Sequence, residues 1–266
     1  MNDSANRRDL LEQLLPVARA AGDVILKVYR TDFDVRGKSD ASPVTAADEG
    51  AEALILPALA TLTPDVPIVA EEAVAAGHIP AVGRRFWLVD PLDGTKEFVS
   101  RNGEFTVNIA LIHEHRPVLG VVHVPVKGLD YFGTTDDGAF RRNGEAKPAP
   151  IQVAALGDGP VRVVGSRSHR GDSLAAFLER IGEHELVAMG SSLKFCLVAE
   201  GKADVYPRLG PTSEWDTAAA QAVVEAAGGH VVDSKGKPML YNTKADILNP
   251  HFLVYGDGSR DWTSYL

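Results

Sequence analysis

Three short acidic segments are the parts of this chain whose residue types and spacing could do chemistry. The densest is Phe86-Trp87-Leu88-Val89, an apolar run that leads straight into Asp90-Pro91-Leu92-Asp93-Gly94-Thr95. Two carboxylates three residues apart across a proline turn can converge on one point, and hard divalent cations such as Mg²⁺ take oxygen ligands of this kind. Gly94 lets backbone come close to a ligand, and the amides of Gly94 and Thr95, if they open a helix, would offer donors to a phosphate. Glu71-Glu72 follows the apolar Ile68-Val69 and puts two acids at a strand end. Thr212-Ser213-Glu214-Trp215-Asp216-Thr217 sets Asp216 in the first turn of a helix, and Pro43-Val44-Thr45-Ala46-Ala47-Asp48 places Thr45 and Asp48 at another helix start.

Each segment also has a plainer explanation. Asp, Pro and Gly are turn formers. Glu71-Glu72 reads as well as a solvated loop pair. Ser213 and Asp216 fit a capping box, and Thr45 fits an N-cap with a first-turn acid. A cap does not require Trp215, which leaves that neighbour unexplained. Taken together, the acids suit hydrolysis of a phosphate ester, a reaction that is extremely slow in water. Mg²⁺ can screen the phosphate, activate water and stabilise the leaving oxygen, so no side-chain nucleophile is needed. The chain has neither a P-loop pattern nor a convincing Ser or Cys nucleophile elbow.

The bulk properties bound the function. The 266 residues carry 27 basic and 36 acidic side chains, a net charge of −9, which argues against a nucleic-acid polymer as partner. Cys196 is the single cysteine, so an intramolecular disulfide and cysteine-based zinc or iron–sulfur sites are excluded. The polar N-terminus lacks the apolar run of a signal peptide, and no apolar run is long enough for a transmembrane helix.

The elements that must position the acids follow from periodicity. Helical spacing predicts an amphipathic helix over 10–28 and a second over 46–62. Strands are expected at 67–69 and 86–89, a hairpin over 105–112 and 117–124, and further β structure over 131–141. The second half alternates: strand 161–165, helix 173–181, strand 186–189, helix 192–200, strand 203–206, helix 217–227, then strands at 231–232 and 252–255. The expected class is α/β, with an α+β N-terminal half and an α/β C-terminal half. The expected domains are 1–150, carrying most of the acids, and 151–266, carrying Asp216. The seam lies in the aperiodic stretch 145–160.

The acidic pair, then Trp87-x-x-Asp90-Pro91-Leu92-Asp93-Gly94-Thr95, then Trp215-Asp216 resemble, in order and spacing, the inositol monophosphatase-like superfamily of metal-dependent, lithium-sensitive phosphatases. Ser42 to Asp48, Lys96-Glu97-Phe98, Arg101 to Leu111, Ser166-Arg167-Ser168-His169, Gly190 to Cys196 and Tyr206-Pro207-Arg208 resemble the CysQ-type 3′(2′),5′-bisphosphate nucleotidases within it. The resemblance implies a layered αβαβα sandwich of the sugar-phosphatase type. It implies Mg²⁺-dependent removal of the 3′-phosphate of adenosine 3′,5′-bisphosphate, a by-product of sulfate assimilation, to give AMP. An inositol or other sugar phosphatase is the alternative, and a non-catalytic phosphate-ligand sensor a more distant one.

The resemblance also implies roles. Glu71, Asp90, Asp93, Asp216 and the Leu92 carbonyl match metal ligands. Asp48 and Thr95 match the pair that polarises the attacking water, with Glu71 beside them. Gly94 and Thr95 would hold the scissile phosphate, while His169, Ser191, Lys194 and Arg208 sit where related nucleotidases contact the nucleotide. The expected setting is the cytoplasm, with peripheral association to the inner membrane implied by resemblance, as a monomer or homodimer. Two positions depart from the pattern. Ala70 stands where many relatives have Gly or Ser, and Ala220 where they usually have Gly.

Overall fold

Leu11, Leu14, Leu15, Ala18 and Ile25 recur at helical spacing, and all five are buried along one face of α1 (Asp3–Tyr29). α2 (Ala46–Leu62) packs beside it through Ala47, Ala51, Ile55 and Leu59. The structure, a computed structural model, describes residues 3–37, 43–166 and 172–266. A two-stranded ribbon, β1 (Arg36–Gly37) and β2 (Pro43–Val44), lies between these helices in sequence.

The helix pair covers one face of a seven-stranded sheet. Its strands are β3 (Ile68–Ala70), β4 (Arg85–Asp93), β5 (Thr106–His113), β6 (Arg116–Val124), β7 (Leu129–Thr134), β8 (Gly138–Asn143) and β9 (Ala149–Ile151), adjacent in that order. Only β3 and β4 run parallel. Two short helices interrupt the order, α3 (Glu71–Ala75) and α4 (Thr95–Val99). Strand alternation splits the core. Trp87, Val89, Ile109 and Val121 face α1 and α2, whereas Phe86, Leu88, Ala110 and Val122 face the other way.

The second sheet has the order β11-β10-β12-β14-β13, formed by β10 (Val161–Ser166), β11 (His184–Met189), β12 (Val205–Arg208), β13 (His230–Asp233) and β14 (Phe252–Tyr255). Between the sheets lie α6 (Leu193–Ala199) and α7 (Glu214–Ala226). α5 (Asp172–Ile181) covers the outer face with Phe177 and Ile181, in a core shared with Val163, Leu253 and Trp262. The layers are thus αβαβα, the fold class that the resemblance implied.

The helix α7 is buried nearly all round and rich in alanine because both sheets press on it. Gly120 and Gly133 make that approach possible. A Cβ on Gly120 would lie 2.2 Å from the Ala219 carbonyl oxygen, and one on Gly133 would lie 3.0 Å from the Ala226 Cβ. The closest contact is relieved by glycines of the sheet, so Ala220 sits buried in the core without needing to be glycine. The proposed division of the chain at 150/151 cuts through β9, the last strand of the first sheet, which runs to Ile151. The seam is less irregular than its composition implies, because Ala149–Ile151 pairs with β8.

Candidate active site

β4 carries Asp90 and Asp93 to the end of the first sheet. Residues three apart on a regular strand point to opposite faces, but the β4–β5 register shifts between Asp90 and Asp93. That irregularity breaks the alternation and re-aims the side chains, a common use of bulges beside active sites. Asp90 Oδ1 accepts from the Leu92 amide at 3.0 Å. Leu92 buries its side chain on the α1–α2 side, and its carbonyl lies 3.5 Å from the Thr95 hydroxyl. Gly94 then takes φ +93° and opens α4. The left-handed conformation calls for glycine there, and so does the crowding, since a Cβ would lie 3.2 Å from Ser191 Cβ and 3.3 Å from the Glu104 carbonyl oxygen.

Asp48 arrives on α2 and Glu71 at the start of α3. Thr45 caps α2, and its amide and hydroxyl donate to Asp48 Oδ2 at 2.8 and 2.7 Å. Asp48 Oδ1 accepts from the Thr95 hydroxyl at 3.2 Å, which joins α2 to α4. One turn further along α2, Glu52 Oε2 accepts the Glu72 amide at 2.9 Å and so anchors the start of α3. Ala70 precedes it with φ −126°, an extended conformation that needs no glycine.

Asp216 comes from the first turn of α7. Its Oδ2 accepts from the Thr212 hydroxyl at 2.6 Å and the Ser213 amide at 2.9 Å, so the capping reading of this acid is correct. It is also incomplete. Ligand oxygens of Glu71, Asp90 and Asp216 lie within 4.8 Å of one another, a group able to hold a metal ion. Asp93 stands outside that trio. Its Oδ2 accepts from the Ser192 amide at 2.6 Å and the Ser192 hydroxyl at 2.7 Å.

Burial and mutual repulsion dominate the electrostatics. Burial, then the charges of Glu71, Asp93 and Asp216, push the Asp90 carboxyl well above the ordinary range. Burial and Asp93 push Asp216 up to about 6. Burial also raises Asp93, against the opposing pull of Lys194 and the Ser192 hydrogen bonds. Buried oxygen donors that repel one another fit a hard divalent cation, which would supply the missing positive charge.

A cavity of about 240 Å³ opens beside these acids. Asp93, Gly94, Thr95 and Asp216 line it together with Ser191, Lys194, Tyr206 and Arg208. The buried Lys194 ammonium donates to the Ser191 carbonyl at 2.6 Å and lies 5.4 Å from the centre of the Tyr206 ring. Burial lowers its pKa to about 8, outweighing the attraction of Asp93. The Arg208 Nε is buried with no hydrogen-bond partner among the described residues, beside the same cavity.

A family model described as the inositol monophosphatase family matches residues 6–256. The chain belongs to the inositol monophosphatase family. Among its relatives in that family, 3′(2′),5′-bisphosphate nucleotidase CysQ of Salmonella typhimurium is 50% identical over 247 residues, which span 92% of this chain and 99% of that protein. The protein of the same description from Escherichia coli K12 is 49% identical over the same shares. The crystal structure of CysQ from Bacteroides thetaiotaomicron, described as a bacterial member of the inositol monophosphatase family, matches with a TM-score of 0.78 at 39% identity, over 93% of this chain and 97% of that one.

Within this family member, Asp48 and Thr95 touch each other, Glu71, Asp90 and Asp216 cluster, and Asp93, Ser191, Lys194 and Arg208 share one cavity wall. His169 lies outside the described residues. Sequence reading missed Ser192, Asn108, Thr212 and Glu52, the partners that hold the acids in place. Ser192 stood in view beside Ser191, but its contact with Asp93 spans 99 positions.

Proposed function

We propose that this chain is a Mg²⁺-dependent phosphatase that removes the 3′-phosphate of adenosine 3′,5′-bisphosphate to give AMP. The observation that carries the reading is one cavity lined both by Asp93 and by Asp216 of the Glu71–Asp90–Asp216 cluster, and by cationic side chains that include Lys194 and Arg208. A substrate with a second phosphate calls for a fixed cation, and the guanidinium of Arg208 can fork onto phosphate oxygens. The descriptions of the CysQ relatives name the same substrate class.

Glu71, Asp90, Asp93, Asp216 and the Leu92 carbonyl are the proposed metal ligands. A bound Mg²⁺ would polarise the phosphate oxygens and acidify nearby water. The protein's own part is orientation and proton movement. The amides of Gly94 and Thr95 hold the scissile phosphate. The Thr95 hydroxyl already donates to Asp48 Oδ1 at 3.2 Å, so its oxygen is open to a proton from the attacking water. As the water oxygen bonds to phosphorus, that proton passes to Thr95 and Thr95's own proton to Asp48. The bond from phosphorus to the 3′ oxygen breaks, and that oxygen takes a proton from solvent. Ser191, Lys194 and Arg208 bind the remainder of the nucleotide, and His169 is kept as a fourth contact.

We place the activity in the cytoplasm, with peripheral inner-membrane association and a monomeric or homodimeric state carried over from the resemblance. No helix among the described residues is long and apolar enough to cross a membrane. The test is a substrate panel in Mg²⁺. The reading expects faster turnover of adenosine 3′,5′-bisphosphate than of inositol 1-phosphate, and the reverse order would replace it with a sugar phosphatase.

A further inference from the structure

The Asp93 carboxylate reaches the cavity from a strand end, where a side chain has rotational freedom. What stops that rotation is the turn leading into α6. Gly190 is wedged there: a Cβ would lie 2.5 Å from Glu97 Cγ and 2.8 Å from the Glu104 carbonyl, and its amide donates to Glu104 Oε2 at 2.8 Å. Ser191 follows with φ +45°, a left-handed conformation that costs energy in a serine and persists where the surroundings impose it. The result is that the amide and the hydroxyl of Ser192 aim at the same atom, Asp93 Oδ2, at 2.6 and 2.7 Å.

The direction of the hydroxyl proton is fixed as well. Asn108 Nδ2 donates to Ser192 Oγ at 2.7 Å, and Asn108 Oδ1 accepts from the Thr106 hydroxyl at 3.1 Å. Ser192 must therefore spend its single proton on an acceptor. Among the described residues, its acceptors are Asp93 Oδ2 and, at 3.1 Å, the carbonyl of Asp216. Thr106, Asn108 and Ser192 are all buried. The same hydroxyl thus touches the elements that bring Asp93 and Asp216.

We propose that Ser192 is a positioning residue for Asp93: it occupies Oδ2 with two charge-assisted bonds and leaves Oδ1 as the oxygen turned toward a divalent cation. Asn108 sets the polarity of the arrangement. This inference rests on the metal reading above and adds a residue to it.

The test is direct titration of Mn²⁺ into the chelator-stripped protein, followed by electron paramagnetic resonance, with no substrate present. Removal of such outer partners of metal ligands costs about 10–100-fold in metal affinity. We expect Ser192→Ala to bind Mn²⁺ about 10-fold more weakly, and Ser192→Thr, which keeps the hydroxyl, to stay within about 3-fold of the wild type. In the Mg²⁺ dependence of turnover, Ser192→Ala should shift the half-saturating concentration more than the rate at saturation. A residue that only supports folding would lower the rate at every Mg²⁺ concentration. Equal Mn²⁺ affinity in Ser192→Ala and wild type overturns the proposal, as does a threonine variant as weak as the alanine one. A wild type that takes up no Mn²⁺ overturns the metal reading itself.

Discussion

Replacing Asp216 with asparagine should make the metal-free protein more stable, although it removes a proposed ligand. Burial and the neighbouring Asp93 raise the Asp216 carboxyl from 3.8 to about 6. A carboxyl whose folded-state pKa lies above its unfolded value holds its proton more tightly when folded. The metal-free protein therefore loses stability as pH rises from about 4 to about 6, and stays at the lower level above that window. The shift corresponds to about 3 kcal/mol once both states are ionised. Asparagine carries no such penalty, and its carbonyl oxygen can still accept from the Thr212 hydroxyl and the Ser213 amide. Those bonds lose their charge assistance, at a cost of about 1 kcal/mol. The net gain at pH 7.5 in chelator is about 2 kcal/mol, or about 4 °C or more in Tm for a chain of this size. Calorimetry at pH 7.5 and at pH 4 reads it directly, and at pH 4 the difference should fall to within about 0.5 kcal/mol. Saturating Mg²⁺ should reverse the order, since a ligand at 100 times its Kd adds about 2.7 kcal/mol to whichever protein binds it. A variant less stable than wild type in chelator at pH 7.5, by the same margin at pH 4, would refute the view that Asp216 belongs to a repulsive acidic cluster.

Further outcomes test other parts of the structure. Lys194→Ala should raise KM about 10-fold for a nucleoside bisphosphate, in line with loss of one charged contact, and leave a monophosphate nearly unaffected. Because the Lys194 pKa is lowered to about 8, its charge fades as pH rises through that value; wild-type KM for the bisphosphate should climb there and the variant's should not. Thr95→Val should cut turnover by about 10²-fold while Mn²⁺ binding is retained, and Thr95→Ser should recover most of the rate. Gly120→Ala should cost about 2 kcal/mol in chemical denaturation, because the atom it meets at 2.2 Å is backbone of α7; Gly157→Ala, with nothing within 4 Å, is the matched control.

Much of this was legible in the residues. The apolar run into Asp90 marked β4, although the strand runs on through the expected proline turn to Asp93, and α1, α2 and the β5–β6 hairpin followed their periodicities. Other features depend on contacts that no local pattern contains. α3 and α4 have five residues each, too few to show a helical period, yet they carry Glu71 and Thr95. α7 begins at Glu214, three residues earlier than its alanine-rich stretch implied, because the cap and the acid share one turn. Asp216 looked like a choice between cap and ligand, but one carboxylate oxygen serves the cap while the side chain still joins the cluster. The irregularity that breaks the alternation between Asp90 and Asp93 is a property of β4–β5 pairing, and Ser192 meets Asp93 through the turn that Gly190 wedges in front of α6.

In the proposed mechanism these carboxylates hold the Mg²⁺ that makes phosphate release possible. Phosphate release from adenosine 3′,5′-bisphosphate should be followed for the wild type after chelation, after Mg²⁺ is restored, and in Asp93→Asn and Asp90→Asn under the same conditions. The account predicts that chelation abolishes turnover, that Mg²⁺ restores it, and that both variants stay folded with rates reduced by about 10²-fold or more at saturating Mg²⁺. Turnover that persists in chelator, or a near-normal rate in folded Asp90→Asn or Asp93→Asn, would contradict it.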